Sequence, residues 1–308
     1  MTSTLSFFSR RVHQLPMVPI PHSNKHYNLP SFLEYARRHN LPPTSTTYLG
    51  NLYEYTAQAQ LRNGAALLLH RTGGRDDKGM DLLGTWHLPG HELPIHVAMQ
   101  CKAHRRRLGP QHIRELEGTI SRRMPQHWRS DGRPRVGVLV GRAEATPGVR
   151  SALRDSPVPL VYFMMDLRGS LRQALWNEAV EGLGLTPLGV EVIHATTADE
   201  EGPPPIRLTW DGHDLYGMDY IEAHMARQEE KWWRLWNLHP NDQETRYEAL
   251  AVIQSRFPDE KPLLWAKGGT PSLMCEKDRL GLLRELALMG YSEGPLGEGE
   301  SAAVTDAT

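Results

Sequence analysis

MDLLGTW at residues 80–86 and IHVAMQCK at residues 95–102 are the two segments that decide the fold. Each alternates its side chains with the period of two that a β-strand requires, and the proline-glycine connection between them predicts a hairpin. Asp81 lies near the start of the first strand. Gln100 and Lys102 share one face of the second strand, because they are two residues apart. The pattern therefore directs a carboxylate, an amide and an amine toward one reaction space.

A helix is predicted before these strands, at residues 44–61. Two prolines and a Ser/Thr cap precede it, and Tyr48 and Leu52 begin an apolar stripe at helical spacing. Glu54 lies off that stripe, on the side of Ala57, where small side chains allow close approach to a sheet. The Glu54 carboxylate is therefore expected to reach inward toward the hairpin.

Further helices and strands alternate along the chain. We predict strands at residues 65–70, 136–140, 160–165, 190–193 and 206–210, and helices beginning at Pro110 and spanning 147–154 and 171–183. The early hairpin is antiparallel and the later crossovers are parallel, so the sheet is mixed. The sequence thus predicts an α/β fold with three α/β/α layers over residues 29–210.

The C-terminal part differs in composition. Residues 211–291 are rich in helix formers and include the tryptophans of WWRLW at 232–236, which predict a helical extension packed on the core. Stacking of nucleic-acid bases on these tryptophans is the alternative. Residues 292–308 are rich in Gly, Glu, Ser and Ala and predict a disordered tail.

Residues 1–28 have the composition of a mitochondrial transit segment. The first acidic residue of the chain is Glu34, and Arg10 and Arg11 precede it among serines, threonines and prolines. A plain disordered terminus is the alternative, since a transit segment usually has more arginines. No apolar run approaches the ~20 residues that span a bilayer. Two distant cysteines predict neither a disulfide framework nor a zinc cluster.

Basic residues follow the hairpin although the formal net charge of the whole chain is only -1. Arg105, Arg106 and Arg107 follow Lys102 after Ala103 and His104 and are predicted to contact phosphates of nucleic acid. A solvated arginine-rich loop is the alternative. Glu117 falls inside the apolar stripe of the next helix, so it needs a partner. Lys102 or an arginine is expected to provide it, in a structural salt bridge or in the site.

The residue types fit phosphodiester hydrolysis. Glu54 and Asp81 supply the hard oxygen ligands that Mg²⁺ or Mn²⁺ prefers, and Gln100 and the carbonyl of Cys101 add neutral oxygens. Lys102 would orient the nucleophile or stabilise the transition state. A glutamine in place of a carboxylate predicts weak metal binding. Cys101 itself is expected to pack in the core.

A zinc site is the other metal possibility. His87, His91 and His96 have suggestive spacing, but a fourth ligand is missing. They are predicted to be surface residues. The sequence contains no Walker-type phosphate loop, nucleophile elbow or dinucleotide fingerprint.

Two family resemblances follow from these motifs. The segment from Tyr48 to Gly118 resembles the restriction-endonuclease-like PD-(D/E)XK superfamily, in its Mrr-like branch, whose motif of Glu, Asp and Gln-x-Lys matches Glu54, Asp81, Gln100 and Lys102. Residues 29–210 are also similar to the fungal family called required for respiratory growth protein 7, mitochondrial. The phrases that carry this second resemblance are SFLEYA at 31–36, YEY at 53–55, GMDLLGTW at 79–86, QCK at 100–102 and IRELEG at 113–118.

The resemblances imply a mitochondrial, metal-dependent endonuclease that acts on DNA, with Glu54 and Asp81 as ligands, Gln100 as an auxiliary ligand and Lys102 as the catalytic cation. The alternative is a protein of the same fold that binds nucleic acid or acts as a scaffold in mitochondrial genome maintenance or expression, without catalysis. Metal-dependent cleavage distinguishes the two.

Overall fold

The chain is known from a computed structural model, which describes residues 26–72, 79–89, 91, 94–122, 124–125, 128, 132–194 and 203–223, with three single residues beyond them. Residues Pro16–Glu222 form one compact unit, and Met1–Leu15 with Ala223–Thr308 form another. The first unit contains the predicted nuclease core. The predicted transit segment up to residue 25, the extension beyond residue 223 and the tail lie outside the described residues.

Two helices open this unit. Helix α1 spans Leu29–Arg38 and α2 spans Thr46–Ala65, each with a side-chain cap at its first turn. Phe32 of α1 and Tyr55 of α2 are almost fully buried against each other. The prediction that α2 ends near residue 61 is wrong by about one turn. The helix ends where Ala66 adopts a left-handed conformation.

The main sheet has six strands in sequential order. They are β1 Leu67–Arg71, β2 Leu82–Trp86, β3 Ile95–Lys102, β4 Arg135–Gly141, β5 Leu160–Met165 and β6 Leu171–Trp176. Strands β3, β4 and β5 are parallel, whereas the β1–β2, β2–β3 and β5–β6 pairs are antiparallel. The prediction of a mixed sheet is therefore confirmed, and the bounds predicted for β3 and β5 match.

Helices cover both faces of the sheet. Helix α3, Pro110–Arg122, and α4, Pro147–Asp155, make the two crossovers between parallel strands and pack on one face. Ile113 and Leu116 of α3 are buried there against Ala98 of β3. Helix α2 lies on the opposite face, where its residue Gln58 donates a hydrogen bond to a carbonyl of β1.

One predicted helix, at residues 171–183, is wrong over its first half. Residues Leu171–Trp176 are strand β6, which pairs antiparallel with β5 after a turn held by Asp166. A short helix α5, Glu178–Val180, then continues as a π-helical turn, Glu181–Leu185. The hairpin with β5 determines this geometry, because tertiary pairing overrides the helix propensity of Ala, Leu, Gln and Arg.

A second, three-stranded antiparallel sheet follows. It consists of β7 Leu188–Val192, β8 Ile206–Trp210 and β9 His213–Asp214. The last two strands predicted from the sequence belong to this sheet and do not extend the main one.

The histidines near the hairpin are not the surface residues that the sequence predicted. His87 and His96 are only 6% and 4% exposed. The side chains of Thr85 and His87 are within hydrogen-bonding distance, with 3.0 Å between Oγ1 and Nε2. His96 stacks on Trp128, with ring centroids 4.2 Å apart. Their surroundings are those of core side chains, so the zinc alternative loses its support.

Burial of His87 predicts a loss of stability in acid. Burial, together with smaller contributions from the charges of Arg62 and Arg133, lowers the pKa of His87 to about 3. The ordinary pKa of a histidine is 6.5. Below that pH, His87 binds a proton in the unfolded chain and stays neutral in the folded chain. This group should remove up to about 1.4 kcal/mol of unfolding free energy per pH unit as the pH falls from about 6 to 3.

Urea denaturation of wild type and His87→Gln at pH 7 and pH 5 measures this effect. The wild type should lose more stability than the variant, because glutamine keeps a hydrogen-bonding group beside Thr85 but does not titrate. His213→Gln, at an exposed position in β9, serves as the control and should follow the wild type. Equal losses in wild type and His87→Gln would contradict the assignment.

Candidate active site

The candidate side chains meet at one edge of the main sheet. The carboxyl ends of the parallel strands β3, β4 and β5 lie at this edge, and the antiparallel strand β2 begins there. Ligands of open α/β sheets bind in the crevice outside such carboxyl ends. Each candidate group is placed there by the end of a strand or by α2.

Asp81 is fixed to the neighbouring strand. Its backbone N–H donates to the carbonyl of Met99 at 2.9 Å, and its Oδ2 accepts from the N–H of Cys101 at 2.6 Å. Leu82 pairs with Met99, so Asp81 lies one step further along, opposite Gln100. The hairpin register therefore brings Asp81 and Gln100 together as predicted, and the bond from Cys101 orients the carboxylate.

The strand predicted to carry Asp81 starts two residues later than predicted, so Asp81 directly precedes it. Strand β2 begins at Leu82, and Met80 packs with Leu83 in the core under α3. The predicted period of two would put Met80 on the face of Leu82, but it does not hold there because the backbone bends at Asp81. Gly79 has a φ of +82°, a conformation that favours glycine.

Gln100 presents a buried oxygen at this edge. Only 8% of the residue is exposed, and its Oε1 receives no hydrogen bond from the part of the chain that the structure describes. Its Nε2 lies beside Gly79 and Thr119, since a Cβ built on Gly79 would be 3.7 Å from that nitrogen and from the Thr119 hydroxyl. An acceptor buried without a donor is costly, so it suits a cation or a donor supplied by a ligand.

Glu54 is oriented by a cation that the sequence analysis did not identify. Arg71, at the end of β1, forms an ion pair with Glu54 and donates to Asn51 Oδ1 at 2.5 Å. The Glu54 side chain is 15% exposed, so this ion pair is well shielded from solvent. In the sequence, the only indication that Arg71 lies near the site is its position on the other side of one predicted turn from Asp81.

The two carboxylates share an electrostatic environment at Cys101. Burial raises the pKa of the Cys101 thiol well above its ordinary value, and the charges of Asp81 and Glu54 raise it further. Both carboxylates therefore lie near the third strand. The thiol stays protonated at neutral pH. The residue is half-buried and is not fully enclosed in the core as predicted.

Lys102 ends β3 opposite Gly141 of β4 and is half-buried. The loop that follows carries Arg105, Arg106 and Arg107, all exposed. Arg142, which the sequence analysis did not select, comes directly after β4 and donates from Nη1 to the carbonyl of Ala103 at 3.0 Å. The amine and these guanidinium groups thus belong to the same edge as Asp81.

Glu117 does not join this site. It accepts a hydrogen bond from the hydroxyl of Ser156 at 3.1 Å, at the end of α4. Among the described residues it forms no salt bridge with Lys102 or an arginine, so the predicted cation partner is wrong. The Ser156 hydroxyl is a sufficient hydrogen-bond donor for the Glu117 carboxylate, because Glu117 is only half-buried.

The donor set for a metal is small. Across the described ranges no group of three His, Cys, Asp or Glu side chains is gathered. The groups that fit Mg²⁺ or Mn²⁺ are the carboxylates of Asp81 and Glu54, the buried amide oxygen of Gln100 and the Cys101 carbonyl. The orphaned Gln100 Oε1 is the observation that favours a cation here.

Comparison with known proteins identifies relatives in fungi. A family model described as Required for respiratory growth protein 7 matches residues 45–93 and 89–193. The chain is 32% identical over 231 residues to "Uncharacterized protein C824.03c, mitochondrial" of Schizosaccharomyces pombe, covering 73% of this chain and 87% of that protein. It is 24% identical over 181 residues to "Required for respiratory growth protein 7, mitochondrial" of Saccharomyces cerevisiae. These residues cover 46% of this chain and 74% of that protein.

A third relative bears the same name in Vanderwaltozyma polyspora, with 23% identity over 171 residues that cover 42% of this chain and 68% of that protein. No solved structure matches the chain. None of the helices in the described ranges has the length and apolar character needed to cross a membrane.

Proposed function

We propose that this chain, which belongs to the required for respiratory growth protein 7 family, is a metal-dependent nuclease that hydrolyses phosphodiester bonds in mitochondrial DNA. The names of its relatives bear out the mitochondrial location predicted from the sequence. They also state a requirement for respiratory growth, which is consistent with a role in maintaining or expressing the mitochondrial genome.

The observation that carries the proposal is the pairing of Asp81 with Gln100 across the β2–β3 hairpin. The Cys101 N–H fixes one carboxylate oxygen at 2.6 Å, and Gln100 Oε1 is buried with no donor among the described residues. A carboxylate and an amide oxygen held in this way form part of a cation site. Most buried side-chain oxygens in proteins accept a hydrogen bond, so the unpaired Gln100 oxygen supports a ligand at this position.

The proposal includes a restriction-endonuclease-like core of the Mrr-like branch, and the order of elements is compatible with such a core. A helix with Glu54, an antiparallel β1–β2–β3 meander with Asp81 and Gln100-x-Lys102, and a crossover helix to a parallel strand follow in that order. The ends of these elements converge on one edge. Fold alone does not define an activity, so the argument rests on the side chains.

Each residue has a role that its position permits. Asp81 and Gln100 would hold the cation, with Glu54 as a further carboxylate beside Arg71. Mg²⁺ or Mn²⁺ bound there would supply an activated water and positive charge for the phosphate. Lys102, on the same face as Gln100 and two residues further along β3, stabilises the charge that develops on the phosphate oxygens.

One observation favours the second candidate, a protein that binds nucleic acid without cutting it. Arg71 already neutralises Glu54 through a shielded ion pair, and glutamine replaces a third carboxylate at position 100. Both features reduce the negative charge available to a metal. Under this alternative the site binds phosphate through its cations and has no hydrolytic activity.

A cleavage assay with Lys102→Gln distinguishes the two candidates. Purified full-length chain is incubated with supercoiled and linear DNA, with and without Mg²⁺ or Mn²⁺. We expect metal-dependent cutting by wild type and a rate at least about 100-fold lower in Lys102→Gln, because removing one positioned cation costs about that much. RNA of matched sequence tests the preference for DNA.

The control is Arg154→Gln, which removes an exposed positive charge at the last turn of α4, away from the carboxyl ends of the parallel strands. It should cut like wild type, so a loss confined to Lys102→Gln assigns the activity to the site. DNA binding by wild type without cutting under any metal condition would transfer the proposal to the non-catalytic candidate.

A further inference from the structure

Arg142 is the most unusual charged residue at the candidate edge. Its Nη1 donates to the Ala103 carbonyl, which ties the start of the arginine loop to the end of β4. Its Nε is buried and meets no acceptor in the described residues. A guanidinium usually satisfies its donors with carboxylates or phosphates in a fork geometry. Arg142 therefore has a fixed orientation and an unused donor.

The surroundings of Arg142 do not neutralise it. Burial and the positive charge of nearby Arg105 lower the pKa of Arg142, whereas Asp166 and Tyr53 raise it more weakly. Asp166 is already occupied, since it pairs with Arg172 at 2.9 Å and accepts from the N–H groups of Arg168 and Ser170. The hydrogen bond from Arg142 to Ala103 places Arg142 beside the segment that carries Arg105 two residues later, and among the described residues Arg142 forms no ion pair.

Such an arrangement is unfavourable by itself and favourable with an anion between the two groups. Like charges at short range repel, and a phosphate reverses that interaction by accepting from both. The pair lies next to Lys102 along the same sheet edge, because Arg142 follows Gly141, which is paired with Lys102. The nucleic-acid strand that carries a phosphate bound there would also pass Lys102.

We propose that Arg142 and Arg105 form a phosphate-binding pair that holds the backbone of the nucleic-acid substrate beside Lys102. Arg142 is the fixed member, anchored to Ala103, and Arg105 is the exposed member that closes on the phosphate. The inference rests on the proposed function, since it assigns the binding step of the same site. It concerns affinity and position, and it adds no chemical step.

The test measures binding in the absence of metal. A fluorescently labelled DNA duplex is titrated with the full-length chain in EDTA, and its anisotropy is followed across a series of NaCl concentrations. Arg142→Gln and Arg105→Gln should each weaken binding about tenfold and reduce the slope of log K against log salt by about one. The fold-loss of DNA affinity in the double variant should be smaller than the product of the fold-losses in the two single variants, because both residues contact one phosphate.

Arg154→Gln is the matched control, since it removes an exposed arginine at the last turn of α4, near the opposite edge of the sheet. It should bind like wild type with an unchanged salt slope. If Arg142→Gln does not fold, the test uses Arg142→Lys together with Arg105→Gln, whose position is exposed. The lysine variant keeps the charge but loses the fork, so it should weaken binding and keep the salt slope.

The outcomes separate the inference from the proposed function. Binding that depends on Arg142 and Arg105 in a wild type that never cuts supports the pair and overturns only the nuclease. Cutting by wild type together with arginine variants that bind like Arg154→Gln overturns only the pair. A wild type that binds no DNA at any salt concentration overturns both.

Discussion

Asp81→Asn is expected to lower the rate of metal-dependent DNA cleavage about a thousandfold, equivalent to roughly 4 kcal/mol of transition-state stabilisation. Under the proposed function, asparagine removes the negative charge that would hold a cation beside Gln100. The cation then binds too weakly to activate water at ordinary concentrations. Raising the Mn²⁺ concentration should recover part of the rate, because a weakened site fills at higher metal.

The fold should survive this change. The Asn amide oxygen can still accept the Cys101 N–H, which Asp81 Oδ2 accepts at 2.6 Å, so the hairpin keeps its register. DNA affinity in EDTA should be unchanged or slightly higher, since a negative charge near the phosphate is lost. Asp155→Asn, exposed at the end of α4, is the control and should retain wild-type cleavage. Cleavage by Asp81→Asn at the wild-type rate would exclude Asp81 as a ligand.

Gly84→Ala is expected to destabilise the chain by about 3 kcal/mol or more, the largest effect that we predict for a single methyl group. A Cβ at position 84 would lie 1.9 Å from the carbonyl oxygen of Leu68 and 2.8 Å from the Cα of Leu69. Both atoms are backbone atoms of the neighbouring strand β1, so no side-chain rotation relieves the clash. The β1–β2 pairing must open or shift.

Gly50→Ala is the matched control within the same unit. Position 50 lies inside α2, and a Cβ there meets nothing within 4 Å. Alanine should stabilise the helix by up to about 1 kcal/mol through its higher helix propensity. Thermal or urea unfolding of the two variants measures the contrast. A small loss in Gly84→Ala would show that the two strands separate readily.

The sequence alone predicted the helices and strands whose hydrophobic periodicity is compatible with only one secondary structure. Strand β3 alternates over eight residues between turn signals, so its bounds were predicted correctly, and with them the placement of Gln100 and Lys102. Helix α3 begins at a proline and carries a regular apolar stripe, and its start was also correct. Local periodicity determined these elements, and it therefore placed the candidate residues Gln100 and Lys102 on one face of β3.

Elements that depend on distant partners were not predictable. Residues 171–176 contain good helix formers, yet they form β6 because β5 offers a free edge and Asp166 closes the turn. The ion pair between Arg71 and Glu54 and the hydrogen bond from Arg142 to Ala103 each join groups from different elements. Such contacts exist only after the sheet has formed, and periodicity carries no information about them.

The ion pair between Arg71 and Glu54 has a practical consequence for handling the protein. It compensates one carboxylate of the edge, and the Cys101 N–H compensates the other, so the folded domain does not need a metal to relieve repulsion between them. Metal and folding are therefore weakly linked, unlike in small zinc domains that unfold when the ion is removed. Chelators should stop hydrolysis without lowering the melting temperature, which makes EDTA-treated protein a folded reference state for every binding measurement.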